Sequence, residues 1–150
     1  MPSYFLDSSA LVKRYHIELG TPTVLQVVDA AANAIRISRL TTTELVSAFA
    51  IQVRTQVISR DDAALFQRRL REDIGSGRFE VFPVSEIEFS LAERLLEYHA
   101  FDFRLRALDA IQLSVAIGLR DRGLVDYFVA ADRALCGAAA REGFQVMNPE

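Results

Sequence analysis

The segment Tyr4-Phe5-Leu6-Asp7-Ser8-Ser9-Ala10 decides the fold. Tyr4 to Leu6 is a short run of strand type, Asp7 ends it, and a stretch of helical period follows at about Ala10 to Tyr15. The same alternation recurs along the chain. A helix is expected at about Pro22 to Ala32, a second strand at Ile35 to Ser38, and helices at about Thr42 to Arg54 and Asp61 to Ile74. Gly75-Ser76-Gly77 then breaks the pattern and introduces a third strand, Phe79 to Val84. Helices follow at Glu86 to His99 and about Ala107 to Arg122, with Gly123 placed as a helix C-cap. Tyr127 to Ala130 forms a fourth strand, Asp132 to Glu142 a helix ended by Gly143, and Phe144 to Met147 a fifth strand. Strands separated by helices of this length imply right-handed crossovers and a parallel sheet covered on both faces, a doubly wound α/β layout. Ligands of such sheets lie outside the carboxyl ends of the strands, where the strand order reverses. Residues that directly follow strands are therefore the first to weigh.

Composition bounds the remaining possibilities. The chain has 150 residues, 51% hydrophobic and 25% charged, with a formal net charge of −3. This is one domain's worth of sequence, with no internal repeat and no linker, so residues 1–150 are read as a single domain. A chain of this length buries about 70% of its unfolded surface and needs no staple. One cysteine, Cys136, excludes an internal disulfide, and no Cys/His cluster exists to build a zinc site. The amino terminus has no basic region followed by a signal-length apolar run, and no stretch approaches the roughly 20 apolar residues of a membrane span. A cytoplasmic, reducing location is expected. Sixteen of the 17 basic residues are Arg, Lys13 being the one lysine, and Arg favours bidentate phosphate contacts. The mild acidity excludes a strongly basic nucleic-acid coat, but not a nuclease with an acidic site.

Four carboxylates occupy telling positions. Asp7 follows the first strand directly, where it is equally well placed as a helix N-cap with Ser8 and Ser9 helping to start the helix. Glu44 is expected in the first turn of the next helix, and Thr41 and Glu44 have the spacing of a capping box. Asp109 interrupts the apolar stretch Leu105-Arg106-Ala107-Leu108-Asp109-Ala110-Ile111-Gln112-Leu113, sharing a face with Leu105, Gln112, Leu113 and Ala116. An unpaired carboxylate buried there is costly; the competing reading makes Asp109 the N-cap of a shorter helix with Gln112 at N3. Asp132 follows the fourth strand and also starts a helix. Each acid has a capping role available, yet all four would meet at one edge of one sheet. Unit charges about 4 Å apart repel by about 4 kcal/mol at an effective dielectric near 20, so such a cluster calls for cations or protons. Oxygen ligands without His or Cys favour Mg²⁺ or Mn²⁺. The four acids outweigh the whole formal charge, since the rest of the chain carries +1.

Together, Tyr4-Phe5-Leu6-Asp7-Ser8-Ser9-Ala10-Leu11-Val12-Lys13, Thr41-Thr42-Thr43-Glu44-Leu45, Leu108-Asp109-Ala110-Ile111-Gln112-Leu113 and Val129-Ala130-Ala131-Asp132 resemble PIN-domain ribonucleases, specifically the VapC-type toxins of bacterial toxin–antitoxin pairs. Each motif is weak singly; four in this order and spacing, from residue 4 to the end of the chain, are specific. The resemblance implies a sheet of order 3-2-1-4-5, Mg²⁺- or Mn²⁺-dependent endonucleolytic cleavage of RNA, a homodimer, and a cognate VapB-type antitoxin whose tail covers the acidic pocket. It makes Asp7 and Asp109 the principal metal ligands, gives Glu44 a metal-binding or water-orienting role, and has Asp132 complete the site. Ala130 departs from the pattern, standing where these toxins usually carry Ser or Thr.

The remaining polar residues are less informative. Arg104 and Arg106, just before Asp109, are candidate phosphate contacts. Arg68 and Arg69 have the spacing to pair with Glu72 and Asp73 on their own helix. His16 and His99 match no motif and read as surface or helix-packing residues, and Cys136 as a small apolar side chain. Two other classes compete with the nuclease. A phosphoacceptor or phosphatase domain would also gather Asp residues around Mg²⁺, but it needs an Asp at the position of Ser9 and a lysine after a late strand, whereas Lys13 lies in the first helix. A non-catalytic binding or scaffold domain of the same fold would tolerate loss of the acids.

Overall fold

The computed structural model describes residues 1–150. Five parallel strands form one sheet: β1 (Ser3–Leu6), β2 (Ala34–Ser38), β3 (Phe79–Phe82), β4 (Tyr127–Val129) and β5 (Gln145–Met147). They lie side by side in the order β3-β2-β1-β4-β5, as expected. Between them run α1 (Ser8–Leu11), which tightens into a 3₁₀ turn at Val12–Arg14, α2 (Thr21–Asp29), α3 (Arg39–Arg54), α4 (Arg60–Gly75), α5 (Glu86–His99), α6 (Ala107–Asp121) and α7 (Arg133–Arg141). No helix is long and apolar enough to cross a membrane.

Strand alternation divides the core between the two faces of the sheet. Phe5 and Phe128, stacked at 5.6 Å between centroids, pack with Leu95 of α5, Leu113 and Leu119 of α6 and Leu135 of α7. Their neighbours Leu6 and Val129 turn to the other face and join Ile35, Ile37, Leu11, Val28, Phe49 and Phe66 from β2 and α1–α4. With helices on both sides, the central strands read as continuous apolar runs.

Three local expectations need correction. The helix after β2 begins at Arg39, because Ser38, the last residue of the strand, caps it by accepting the Thr41 N–H at 3.3 Å. Thr41 is therefore not the cap, and the expected Thr41–Glu44 capping box is absent. The first helix starts earlier than expected, at Ser8, and the second ends earlier, at Asp29, because Asp7 caps the one and the chain becomes extended at Ala30 after the other. The expected pairs of Arg68 with Glu72 and Arg69 with Asp73 do not form. Asp73 instead accepts from Arg14 Nε at 2.8 Å and from the Tyr15 hydroxyl at 2.7 Å, tying α4 to the residues that follow α1.

The connection from α5 to α6 carries Arg104 and Arg106, and it is seated by Phe103. A Cβ on Gly137 of α7 would collide with the Phe103 ring, and Arg141 stacks over that ring at 4.7 Å. Glycine thus lets the aromatic ring lie against the helix backbone. Gly137→Ala is expected to displace Phe103 and cost about 1–3 kcal/mol, read as a lower urea midpoint together with faster amide hydrogen exchange across residues 101–106.

Candidate active site

The strand order reverses between β1 and β4, and their ends are pinned together there. The Asp7 N–H donates to the Val129 carbonyl at 2.9 Å, continuing the ladder one residue past β1. Asp7 also caps α1, its Oδ2 accepting from the Ser9 N–H at 3.0 Å and from the Ser9 hydroxyl at 2.6 Å. The same Ser9 Oγ accepts the Ala131 N–H at 3.0 Å, bridging the two strand ends. Asp7 thus caps α1 and stands at the carboxyl edge between β1 and β4, the two being compatible in one residue.

Glu44 stands in the second turn of α3, half-buried beside α6. Its Oε1 accepts from Gln112 Nε2 at 2.7 Å. Asp109 is buried at the N3 position of α6, where it accepts from the Arg106 backbone N–H at 3.1 Å and from Arg106 Nε at 3.3 Å. It is not the N-cap of a shorter helix, and Gln112 is not at N3. The helix begins at Ala107 because the apolar face from Leu105 onward packs on the sheet, and burial overrides the local capping alternative. Asp132 follows the expected capping role, accepting the Leu135 N–H at 3.0 Å at the start of α7.

Asp7, Glu44 and Asp109 come within electrostatic reach of one another. Burial pushes the Asp7 carboxyl up to about 7, and the charges of Glu44 and Asp109 add to the rise against the opposing Ser9 hydrogen bonds. Glu44 is raised as well, first by burial, with its bond to Gln112 opposing and the charge of Asp109 adding. Arg106 is held more firmly protonated by Asp109, with smaller contributions from Asp132 and Glu44. Asp132 thus lies at the rim of the group. A cleft of about 280 Å³ beside it is lined by Arg104, Arg106, Asp132 and Ala134.

The donor set suits a hard divalent cation, being carboxylate oxygen without thiolate or imidazole. No three of these side chains stand close enough to form a ready-made cage. Mg²⁺ does not require one, since it keeps several waters and binds through one or two carboxylates. His99 is fully buried and meets Glu142 at 2.9 Å, while His16 lies 3.3 Å from Glu18, so neither histidine hydrogen-bonds an acid of the site. The Cys136 thiol, pushed up to about 11 by burial and by Asp132 and Asp7, donates to the Ala130 carbonyl at 3.2 Å. Lys13 is buried against Glu18 and Glu150, 3.0 and 2.7 Å away.

Three contributors escaped the sequence reading as site residues: Ser9, Ser38 and Gln112. Gln112 is fully buried, accepts from the Ser38 hydroxyl at 2.6 Å, and donates to Thr41 Oγ1 at 2.8 Å as well as to Glu44. Its signal was a glutamine on an otherwise apolar helix face, which buried-polar logic marks as partnered.

The raised Asp7 carboxyl fixes the sign of a stability effect. The folded protein retains a proton that the unfolded chain releases near its ordinary value of 3.8, so without metal, stability falls as pH rises from there to about 7 and is level above. Asp7→Asn keeps a good cap and removes the buried charge. The variant is expected to be more stable than wild type at pH 8 in chelator, by on the order of a few kcal/mol at most, and to lose the dependence between pH 4 and 7, as measured by urea titration.

The PIN domain family model matches residues 4–139. Three solved structures share the fold at low identity. VapBC2 from Rickettsia felis, bound to a DNA fragment from their promoter, has 18% identity over 97% of this chain and 98% of that one, with a TM-score of 0.65. A toxin–antitoxin complex from Klebsiella pneumoniae has 16% identity over 98% of each chain and a TM-score of 0.65. VapC20 of Mycobacterium tuberculosis, described as a Sarcin–Ricin loop cleaving toxin, has 16% identity over 94% of this chain and 95% of that one, with a TM-score of 0.61. No curated protein sequence matches the chain.

Proposed function

Because this chain belongs to the PIN-domain family, we propose that it is a metal-dependent endoribonuclease, the toxin of a toxin–antitoxin pair. The observation that carries the reading is the buried Asp7 carboxylate placed where β1 and β4 end, pinned to Val129 and linked through Ser9 to Ala131, with Glu44 and Asp109 near enough for their charges to act on it. A site that holds anions at such cost is relieved by a divalent cation, which would take the place of the proton.

Asp7 and Asp109 would hold Mg²⁺ or Mn²⁺, with Glu44 binding the ion or orienting the attacking water and Asp132 contributing from the rim. When bound, the ion supplies an activated water at neutral pH and offsets charge on the phosphodiester as it is attacked. The chain's own groups perform the positioning. Asp7 is fixed by its cap and by Ser9, Glu44 by Gln112, and Asp109 by the Arg106 backbone. Arg104 and Arg106 edge the cleft beside Asp132 and would take the RNA phosphates. A cytoplasmic homodimer restrained by a VapB-type antitoxin follows from the same reading, supported by the toxin–antitoxin assemblies that share the fold.

The test is cleavage of bulk and transfer RNA with Mg²⁺ or Mn²⁺ by the wild type beside Asp7→Asn and Asp109→Asn. Each variant is expected to lose about 100-fold or more in rate and to relieve growth arrest on expression. Identical behaviour of all three proteins would favour a non-catalytic domain. Arg104→Ala is expected to weaken RNA binding several-fold whatever the sequence and to lower the salt slope of binding by about 0.7, measured by filter binding across a salt series.

A further inference from the structure

Gln112 is fully buried beside the acidic group, and every hydrogen-bonding capacity it uses points toward Glu44 or the elements that carry it. Its Oε1 accepts from Ser38 Oγ at 2.6 Å, and its two N–H groups reach Thr41 Oγ1 at 2.8 Å and Glu44 Oε1 at 2.7 Å. The orientation of the amide is dictated by these partners. Turned over, it would set its carbonyl oxygen 2.7 Å from a carboxylate oxygen of Glu44, acceptor against acceptor. The amide therefore presents a donor to Glu44 and no acceptor.

This is more than is needed to begin a helix. Ser38 alone caps α3, and the cap needs nothing from α6. Gln112 adds a link between the first turns of α3 and the middle of α6, the helices that carry Glu44 and Asp109. A carboxylate held by a fixed donor keeps its rotamer and retains lone pairs for a cation or a water. Groups that hydrogen-bond metal ligands in this way tune affinity by about 10- to 100-fold when removed.

We propose that Gln112 is a positioning residue that fixes Glu44 for divalent-metal binding, an assignment that rests on the metal-dependent reading above. Gln112→Met keeps the length and removes both donors; Gln112→Glu keeps the shape and sets a second carboxylate against Glu44. Gln112→His retains a ring N–H able to reach Glu44.

The experiment is Mn²⁺ titration of the metal-free proteins by calorimetry, with RNA cleavage followed against Mn²⁺ concentration on the same samples. Gln112→Met and Gln112→Glu are expected to bind Mn²⁺ about 10- to 100-fold more weakly, to need correspondingly more Mn²⁺ for half-maximal cleavage, and to recover rate at saturating metal. Gln112→His is expected to recover part of the affinity. Folding is controlled by repeating Gln112→Met in a Glu44→Gln background. If Gln112 acts through Glu44, the second substitution adds little to the first, whereas a generally damaged core would give additive losses and overturn the assignment. Wild-type Mn²⁺ affinity in Gln112→Met, with Asp7→Asn still impaired, overturns the role of Gln112 and leaves the nuclease reading standing. Absence of Mn²⁺ binding by the wild type removes both.

Discussion

The parallel pairing of β1 with β4 at the centre of the sheet is the constraint on which the rest depends. The chain builds β2 and β3 to one side of β1 and returns to lay β4 and β5 on the other, so the crossovers leave the β1–β4 edge in opposite directions. The crevice that opens there is floored by the hydrogen bond from the Asp7 N–H to Val129 and bridged by Ser9 to Ala131. Phe5 and Phe128, stacked beneath it and fully buried, join the two strands side to side, so the site rests on the core.

Three carboxylates converge at this crevice, and the protein deals with their repulsion in three ways. Asp7 has its carboxyl pushed up by burial, Asp109 draws on the exposed guanidinium and the backbone N–H of Arg106, and Glu44 is met by the neutral donor of Gln112. None of these arrangements supplies a full buried countercharge. The site is consequently an electrostatic deficit. The arginines of the α5–α6 connection lie beside this deficit, held there by the contact of Phe103 with Gly137. Negative and positive groups are thus separated across a few residues, a pattern suited to holding a cation and a phosphate side by side.

The architecture persists among structures that share only 16–18% identity with this chain. Core positions of a doubly wound sheet ask mainly for apolar side chains of suitable volume, which many sequences satisfy.

The resemblance to PIN-domain ribonucleases supplied the strand order; the alternation of apolar runs and helical periods was enough to establish the doubly wound layout and to place Asp7 and Asp132 directly after strands. Those inferences rest on short-range patterning, which a linear sequence carries in full. Glu44 and Asp109 were identified as site candidates, but their local settings were misjudged. Thr41 is a plausible cap until Ser38, three residues earlier at the end of β2, takes that role, and Asp109 could cap a helix only if Leu105 and its neighbours were free of the sheet. Capping competes within three or four residues and looks alike from sequence whichever residue wins. Only the tertiary structure decided which carboxylates share a field and which amide steadies them. Gln112 and Glu44 are 68 positions apart, and what brings them to 2.7 Å is the packing of α3 and α6 around one sheet.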